Sequence, residues 1–112
     1  MRVVLSIQGS SDEPYEVVFE REGEVLIGSC TCRAAQFGQI CKHRILLLSG
    51  DEIYLSGSDV VKVKEQLKAL VEGSDLEVEL GRISELSTMK TEVDRELKKC
   101  KKHMVELLNR DL

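Results

Sequence analysis

The chain has 112 residues, no tryptophan and a formal net charge of −4 at pH 7. This length corresponds to one domain, or one small domain with an extension, and the negative charge argues against indiscriminate attraction to phosphate backbones. The sequence has no apolar run of about 18 residues, so we expect no transmembrane helix and no membrane partner.

The first thirty residues predict a small antiparallel sheet. Arg2–Ile7 is rich in β-branched residues, residues 15–20 alternate apolar with polar side chains, and residues 24–28 return after a turn at Gly23. The amino-terminal residues lack the pattern of a secretory signal. We therefore expect an intracellular protein in a reducing compartment, either the cytoplasm or, in a eukaryote, the nucleus.

Three cysteines and a histidine follow in two tight pairs, Cys30-x-Cys32 and, after eight residues, Cys41-x-His43. Three thiolates and an imidazole are the ligands of a closed, tetrahedral zinc site. A pair of disulfides is the weaker interpretation, because no export signal is present and a Cys-x-Cys bridge is strained. Four protein ligands leave no open position for water, and no nucleophile–base pair is visible. The sequence therefore predicts a structural Zn²⁺ and no enzymatic activity.

The second half of the chain is predicted to be helical. A helix is predicted to begin at Cys41, to contain the apolar residues 45–48 and to end at Gly50, and residues 53–55 suggest a short edge strand. Residues 56–58 are the best linker candidate, which divides the chain into a finger domain, 1–57, and a helical region, 58–112. Ser58 is a candidate cap for a helix that ends at Gly73.

A long amphipathic helix is predicted from Ile83 to about Asn109. With Ile83 at position a of a heptad, the a and d positions are Ile83, Leu86, Lys90, Val93, Leu97, Cys100, Met104 and Leu107. This helix either forms a homodimer through residues 83–109 or packs on the preceding helix as an intrachain hairpin, and the two are compatible. Residues 75–80 alternate like a strand, but Ser74 fits a capping box and a lone strand there would have no obvious partner, so we expect a helix.

The zinc motif resembles a SWIM zinc finger, whose pattern is Cys-x-Cys, a variable gap and Cys-x-His, with paired strands before it and an apolar helix after it. The resemblance covers about residues 15–50, and Phe37 is similar to the family's usual loop aromatic. Arg33 stands where the family often has proline. The resemblance implies that Cys30, Cys32, Cys41 and His43 bind zinc, and that the finger binds DNA or another protein.

The fold class that we predict is α+β: a three-stranded antiparallel sheet and a helix around a structural zinc, followed by a helical hairpin or coiled coil. The function that we predict is a non-enzymatic adaptor whose finger and long helix recruit a protein partner. The alternative is a small nucleic-acid-binding regulator, and a redox-sensitive zinc switch is a third hypothesis. The candidate contact residues for either kind of partner are Arg33, Phe37, Lys42, Arg44, Lys98, Lys99, Lys101 and Lys102.

Overall fold

The computed structural model describes residues 1–9 and 11–111. Within these residues the chain forms three strands and then four helices. They are β1 Arg2–Ile7, β2 Tyr15–Glu22, β3 Val25–Cys30, α1 Arg33–Gln36, α2 Lys42–Leu48, α3 Val60–Val71 and α4 Glu77–Leu108.

The three strands form one antiparallel sheet in the order β1-β2-β3, which confirms the predicted meander. Gly23 makes the tight turn between β2 and β3 with a φ of 61°, a region that is open to glycine at little cost. Phe19 of β2 lies between Val3 of β1 and Gly28 of β3 in the register. The aromatic ring leans across Gly28, where an added Cβ would lie 2.7 Å from a ring carbon.

One buried cluster joins the sheet to the helices and to the cysteines. Alternate residues of each strand face inward, as the pleat of a β-strand requires. The cluster consists of Val3, Ile7, Val17, Phe19, Leu26, Cys30, Cys32, Cys41, Leu47, Leu67 and Leu70. The three cysteines of the predicted metal site are therefore part of the core, as expected for a small domain with few aromatic side chains.

Two local predictions are wrong. Residues 53–55 are not an edge strand: the carboxylate of Asp51 accepts a hydrogen bond from the Ile53 amide, and the Leu55 amide donates to the Glu52 carbonyl, so the segment turns on itself. Ser58 is not the helix cap, because α3 begins one residue later, after Asp59. The short helix α1 inside the finger loop was not predicted.

The chain divides into two compact units, Met1–Gly81 and Arg82–Leu112. Leu67 and Leu70 of α3 belong to the same cluster as the sheet, so α3 lies within the first unit. The predicted division at 57/58 stays a prediction. Helix rather than strand is confirmed from Glu77 onward, where α4 begins. In the turn before it, Ser74 Oγ accepts a hydrogen bond from the Leu76 amide at 3.3 Å.

In the part of the chain that the structure describes, no helix is both long and apolar enough to span a membrane.

Candidate metal centre

Each of the four predicted ligands lies at the end of an element. Cys30 is the last residue of β3, Cys32 is the N-cap of α1, Cys41 is the N-cap of α2, and His43 lies in the first turn of α2. Two bonds hold the first pair against β2: the Glu16 amide donates to Thr31 Oγ1 at 2.9 Å, and the Thr31 amide donates to the Glu16 carbonyl. Strand pairing thus continues beyond Cys30 and fixes the Cys-x-Cys turn.

The ligand atoms converge on one point. The three thiol sulfurs and a ring nitrogen of His43 all lie within 4.8 Å of one another. Cys32 Sγ lies 3.4 Å from Cys41 Sγ, and His43 Nδ1 lies 3.7 Å from Cys41 Sγ and 3.9 Å from Cys30 Sγ. Tetrahedral zinc, with bonds of about 2.3 Å to sulfur and about 2.0 Å to nitrogen, requires separations of about 3.5–3.8 Å. The residues present therefore fit zinc, with Nδ1 as the nitrogen ligand.

Backbone amides surround the sulfurs. The Cys32 amide donates to Cys30 Sγ at 3.5 Å, and the Ala35 amide donates to Cys32 Sγ at 3.4 Å. The Arg44 amide donates to Cys41. N–H donors at a sulfur favour its thiolate form, which is the form that binds metal.

Burial shifts the protonation of three ligands in the metal-free protein. Desolvation raises the pKa of Cys30 to about 12. At Cys41 burial acts in the same direction, but hydrogen bonds from Arg44 and the neighbouring cysteines outweigh it, so its pKa is lowered. Burial, and then the charge of Lys42, lower the pKa of His43. The imidazole is consequently neutral at pH 7 and ready to bind metal, whereas Cys30 must first lose a proton.

Two tyrosines position the histidine ring. The ring centroids of Tyr15 and Tyr54 lie 4.9 and 5.0 Å from that of His43, both at tilted angles. Behind the ring, a Cβ on Gly9 would lie 3.4 Å from His43 Nε2 and would overlap Tyr15. These three residues were not predicted from the sequence, because they approach His43 from distant points in the chain and share no local motif with it.

The four ligand atoms indicate which metal binds and what its role is. Three thiolates and an imidazole in a buried, closed arrangement are a structural zinc set, and zinc bound there would cross-link β3, α1 and α2. Residues 15–49, which contain all four ligands, match the SWIM zinc finger family. The chain carries a SWIM zinc finger. No curated protein and no solved structure matches the chain.

The SWIM finger exposes the loop between its ligand pairs. Phe37 is 67 % exposed and Ile40 is 84 % exposed. The Arg33 guanidinium lies 5.8 Å from the centre of the Phe37 ring, and Lys42 is exposed beside the second ligand pair. Arg44 differs from these residues: it is half-buried, and its Nη1 donates to the Gly28 carbonyl at 3.0 Å. Arg44 therefore holds α2 against β3.

The remaining predicted contact residues lie on α4. All four lysines, Lys98, Lys99, Lys101 and Lys102, are exposed. Lys99 forms an ion pair with Glu96 at 3.5 Å, one turn earlier on the helix. Exposed pairs of this kind contribute little to stability, about 0–1 kcal/mol, so these lysines have no large role in folding the helix.

Proposed function

We propose that this protein is a non-enzymatic, zinc-dependent adaptor in which the SWIM finger and the long helix α4 recruit protein partners. The observation that carries the proposal is the exposed loop 33–40, which presents Phe37 and Ile40 between the two ligand pairs. Apolar side chains that a small domain leaves exposed together indicate a contact surface, and aromatic residues with a neighbouring arginine are typical of the centres of protein interfaces.

Zinc would hold this loop in one conformation and so prepare it as a binding surface. Cys32 and Cys41 bracket the loop and both bind at the metal centre, so the ion closes it. Inside it, α1 orders residues 33–36, and Gly38 turns the chain with a φ of 68°. A loop that is ordered before binding loses less conformational entropy when a partner docks. The zinc is therefore structural, and its role in binding is to hold Phe37 and Ile40 in place.

The chemistry of the centre supports two further parts of the proposal. Four protein ligands leave the metal no open position, which supports a role without catalysis. Three cysteines must stay reduced to serve as thiolates, so we place the protein in a reducing, intracellular compartment.

Quantitative mass spectrometry of captured proteins tests the adaptor role. The test variant is Phe37→Ser/Ile40→Ser, and the matched control is Ile53→Ser, because Ile53 is 70 % exposed but lies outside the loop. We expect wild type and the control to recover the same partner, and the loop variant to lose it at least about tenfold while keeping one zinc per chain. Unchanged recovery with the loop variant contradicts the proposal, as does recovery of the protein alone.

A nucleic-acid-binding role is the second candidate, and the exposed Arg33, Phe37 and Lys42 favour it, since bases stack on aromatic rings and arginine planes. Arg44 contributes less to such a surface because it is engaged with Gly28. Mobility shifts of single- and double-stranded DNA across a salt series separate the two candidates. Binding that weakens steeply with salt and is lost in Arg33→Gln/Lys42→Gln supports nucleic acid; no retardation at low salt removes this candidate.

A further inference from the structure

The second unit carries an apolar seam, formed by the a and d positions of the predicted heptad. Every described residue from 82 to 111 is exposed, including the a and d positions of the predicted heptad. Ile83 is 37 % exposed at one end of the seam, and Met104 is 60 % exposed near the other. A helix of 32 residues is about 48 Å long, and helices in water owe most of their stability to packing of an amphipathic face.

We propose that a second copy of this chain covers the seam, as a parallel, in-register, two-stranded coiled coil over residues 83–107. This inference rests on the interaction role proposed above for α4 and names the helix's partner. In register, each of the eight a and d residues meets its own copy. The β-branched Ile83 at a and leucines Leu86 and Leu107 at d suit a parallel pair of helices, and the single polar Lys90 is the kind of residue that sets register.

Charge complementarity favours the parallel orientation. In parallel coiled coils a g residue faces the e residue of the partner's next heptad. Glu96 is at g and Lys101 is at the following e, so the symmetric pair makes two Glu96–Lys101 contacts between copies. Both side chains are exposed, and Glu96 has its surface ion pair with Lys99 at 3.5 Å to exchange for the new contact, at a cost of about 0–1 kcal/mol.

The antiparallel arrangements either bring like charges together or bury fewer apolar residues than the parallel pair does. Antiparallel helices pair g with g and e with e. If the two helices are aligned so that all eight a and d residues have a partner, Glu96 would face Glu96, Asp94 would face Asp94, and Arg82 would face Arg110. A shift of one heptad brings Asp94 opposite Lys101, but it leaves Ile83 and Leu86 without a partner layer.

Cys100 reports the orientation directly. It is an exposed free thiol at a d position, whereas the other three cysteines are buried. Helix axes about 8–10 Å apart bring facing Cα atoms to roughly 3.4–5.4 Å, which overlaps the range of about 4.4–6.8 Å that a disulfide spans. The parallel pair thus sets Cys100 against Cys100, while the two antiparallel registers set it against Lys90 or Leu97.

The first experiment measures dimerisation of the full-length, zinc-loaded protein by sedimentation equilibrium. We expect a wild-type dimer, an increase of about 4–30-fold in the dimer Kd for Glu96→Lys or Lys101→Glu alone, and recovery in the double variant Glu96→Lys/Lys101→Glu. Glu92→Lys is the matched control, because it makes the same charge change at the outward c position. Circular dichroism verifies equal helix content. A monomer at tens of micromolar, or a double variant weaker than either single variant, overturns the proposal.

The second experiment oxidises the dimer with diamide. Two Cys100 thiols lose two protons and two electrons to the N=N bond of diamide, which becomes a hydrazine, and one S–S bond forms between the copies. We expect a covalent dimer on a non-reducing gel for wild type and none for Cys100→Ser. Absence of a Cys100-dependent dimer overturns the parallel register. Partner capture by the finger is measured separately: a wild-type protein that is monomeric, keeps its zinc and still captures a partner through the 33–40 loop refutes only the helix pairing.

Discussion

The guanidinium of Arg21 donates a hydrogen bond to the carbonyl oxygen of Leu70 at 3.0 Å. The same nitrogen also donates to the carbonyls of Ala69, at 3.2 Å, and of Glu72. Carbonyls at a helix C-terminus lack intrahelical partners and carry the negative end of the helix dipole. One cation on β2 therefore satisfies the end of α3 and fastens that helix to the sheet.

Replacement of Arg21 should lower the stability of the first unit. We expect Arg21→Met to lower the free energy of unfolding by about 1–3 kcal/mol, since it leaves the partly buried carbonyl of Leu70 without its charged donor. Arg2→Met is the matched control: Arg2 pairs with Glu20 at 3.1 Å, but both side chains are at least half exposed, so its cost should be about 0–1 kcal/mol. Urea denaturation of both variants measures the difference. Equal losses would show that Arg21 acts only as a surface charge.

The sequence predicts the parts of the fold that local patterns encode. Alternation in β2 places Val17 and Phe19 inside, and the ligand spacing identifies Cys30 and His43 as partners, because strand and turn geometry act over a few residues. The contact between Arg21 and Leu70 joins positions far apart in the chain, and no local signal marks it. The same is true of Tyr54, whose segment resembles a strand by composition but is held in turns by Asp51.

Gly28 should be intolerant of any side chain. A Cβ there would lie 2.7 Å from the Phe19 ring, which is fully buried and has no room to move. We expect Gly28→Ala to destabilise the first unit by about 1–3 kcal/mol through overpacking. Gly81→Ala offers the opposite control, since Gly81 lies in α4 with nothing within 4 Å of the added methyl. Alanine there should stabilise the helix by about 0.5–1 kcal/mol. Thermal melts by circular dichroism distinguish the two signs.

The number of thiols that react rapidly should show how many cysteines bind zinc. The chain has four cysteines, of which Cys100 alone is exposed. In the zinc-loaded protein, at a concentration where the chain is monomeric, we expect one thiol to react rapidly with Ellman's reagent, because the other three are buried and engaged at the metal. After chelation with EDTA under denaturant-free conditions we expect four, since a finger of this size depends on its metal to fold. Cys100→Ser should give none before chelation and three after it. Four fast thiols in zinc-loaded wild type would contradict the ligand assignment.

Zinc binding should release protons and weaken as the pH falls. Burial raises the pKa of Cys30 to about 12 where the metal-free finger is folded, and a cysteine of the unfolded chain, with a pKa of about 8.5, is also protonated at pH 7, so in either state this thiol must lose its proton to bind. Burial lowers the pKa of His43 from 6.5, so the imidazole is neutral at pH 7 and releases none. Below pH 6.5 the unfolded chain binds a proton at His43 before the folded chain does, and the folded state loses stability as the pH falls through that window. Calorimetric titrations in buffers of different ionisation enthalpy give the proton count, for which we expect at least one per zinc. A count of zero at pH 7 would refute the assignment of Cys30.

Lys90 should limit the stability of the proposed helix pair. It is the one charged residue among the eight a and d positions, and a parallel dimer brings two copies of it into the same layer. We expect Lys90→Ile to tighten the dimer by about 1–3 kcal/mol, because it replaces a desolvated charge with a β-branched apolar side chain that suits a two-stranded pair. Lys98→Ile is the matched control, since Lys98 occupies the outward b position of the same helix and should leave the dimer Kd unchanged. Sedimentation equilibrium measures both variants. An unchanged Kd for Lys90→Ile would place Lys90 outside the interface and reject the heptad register.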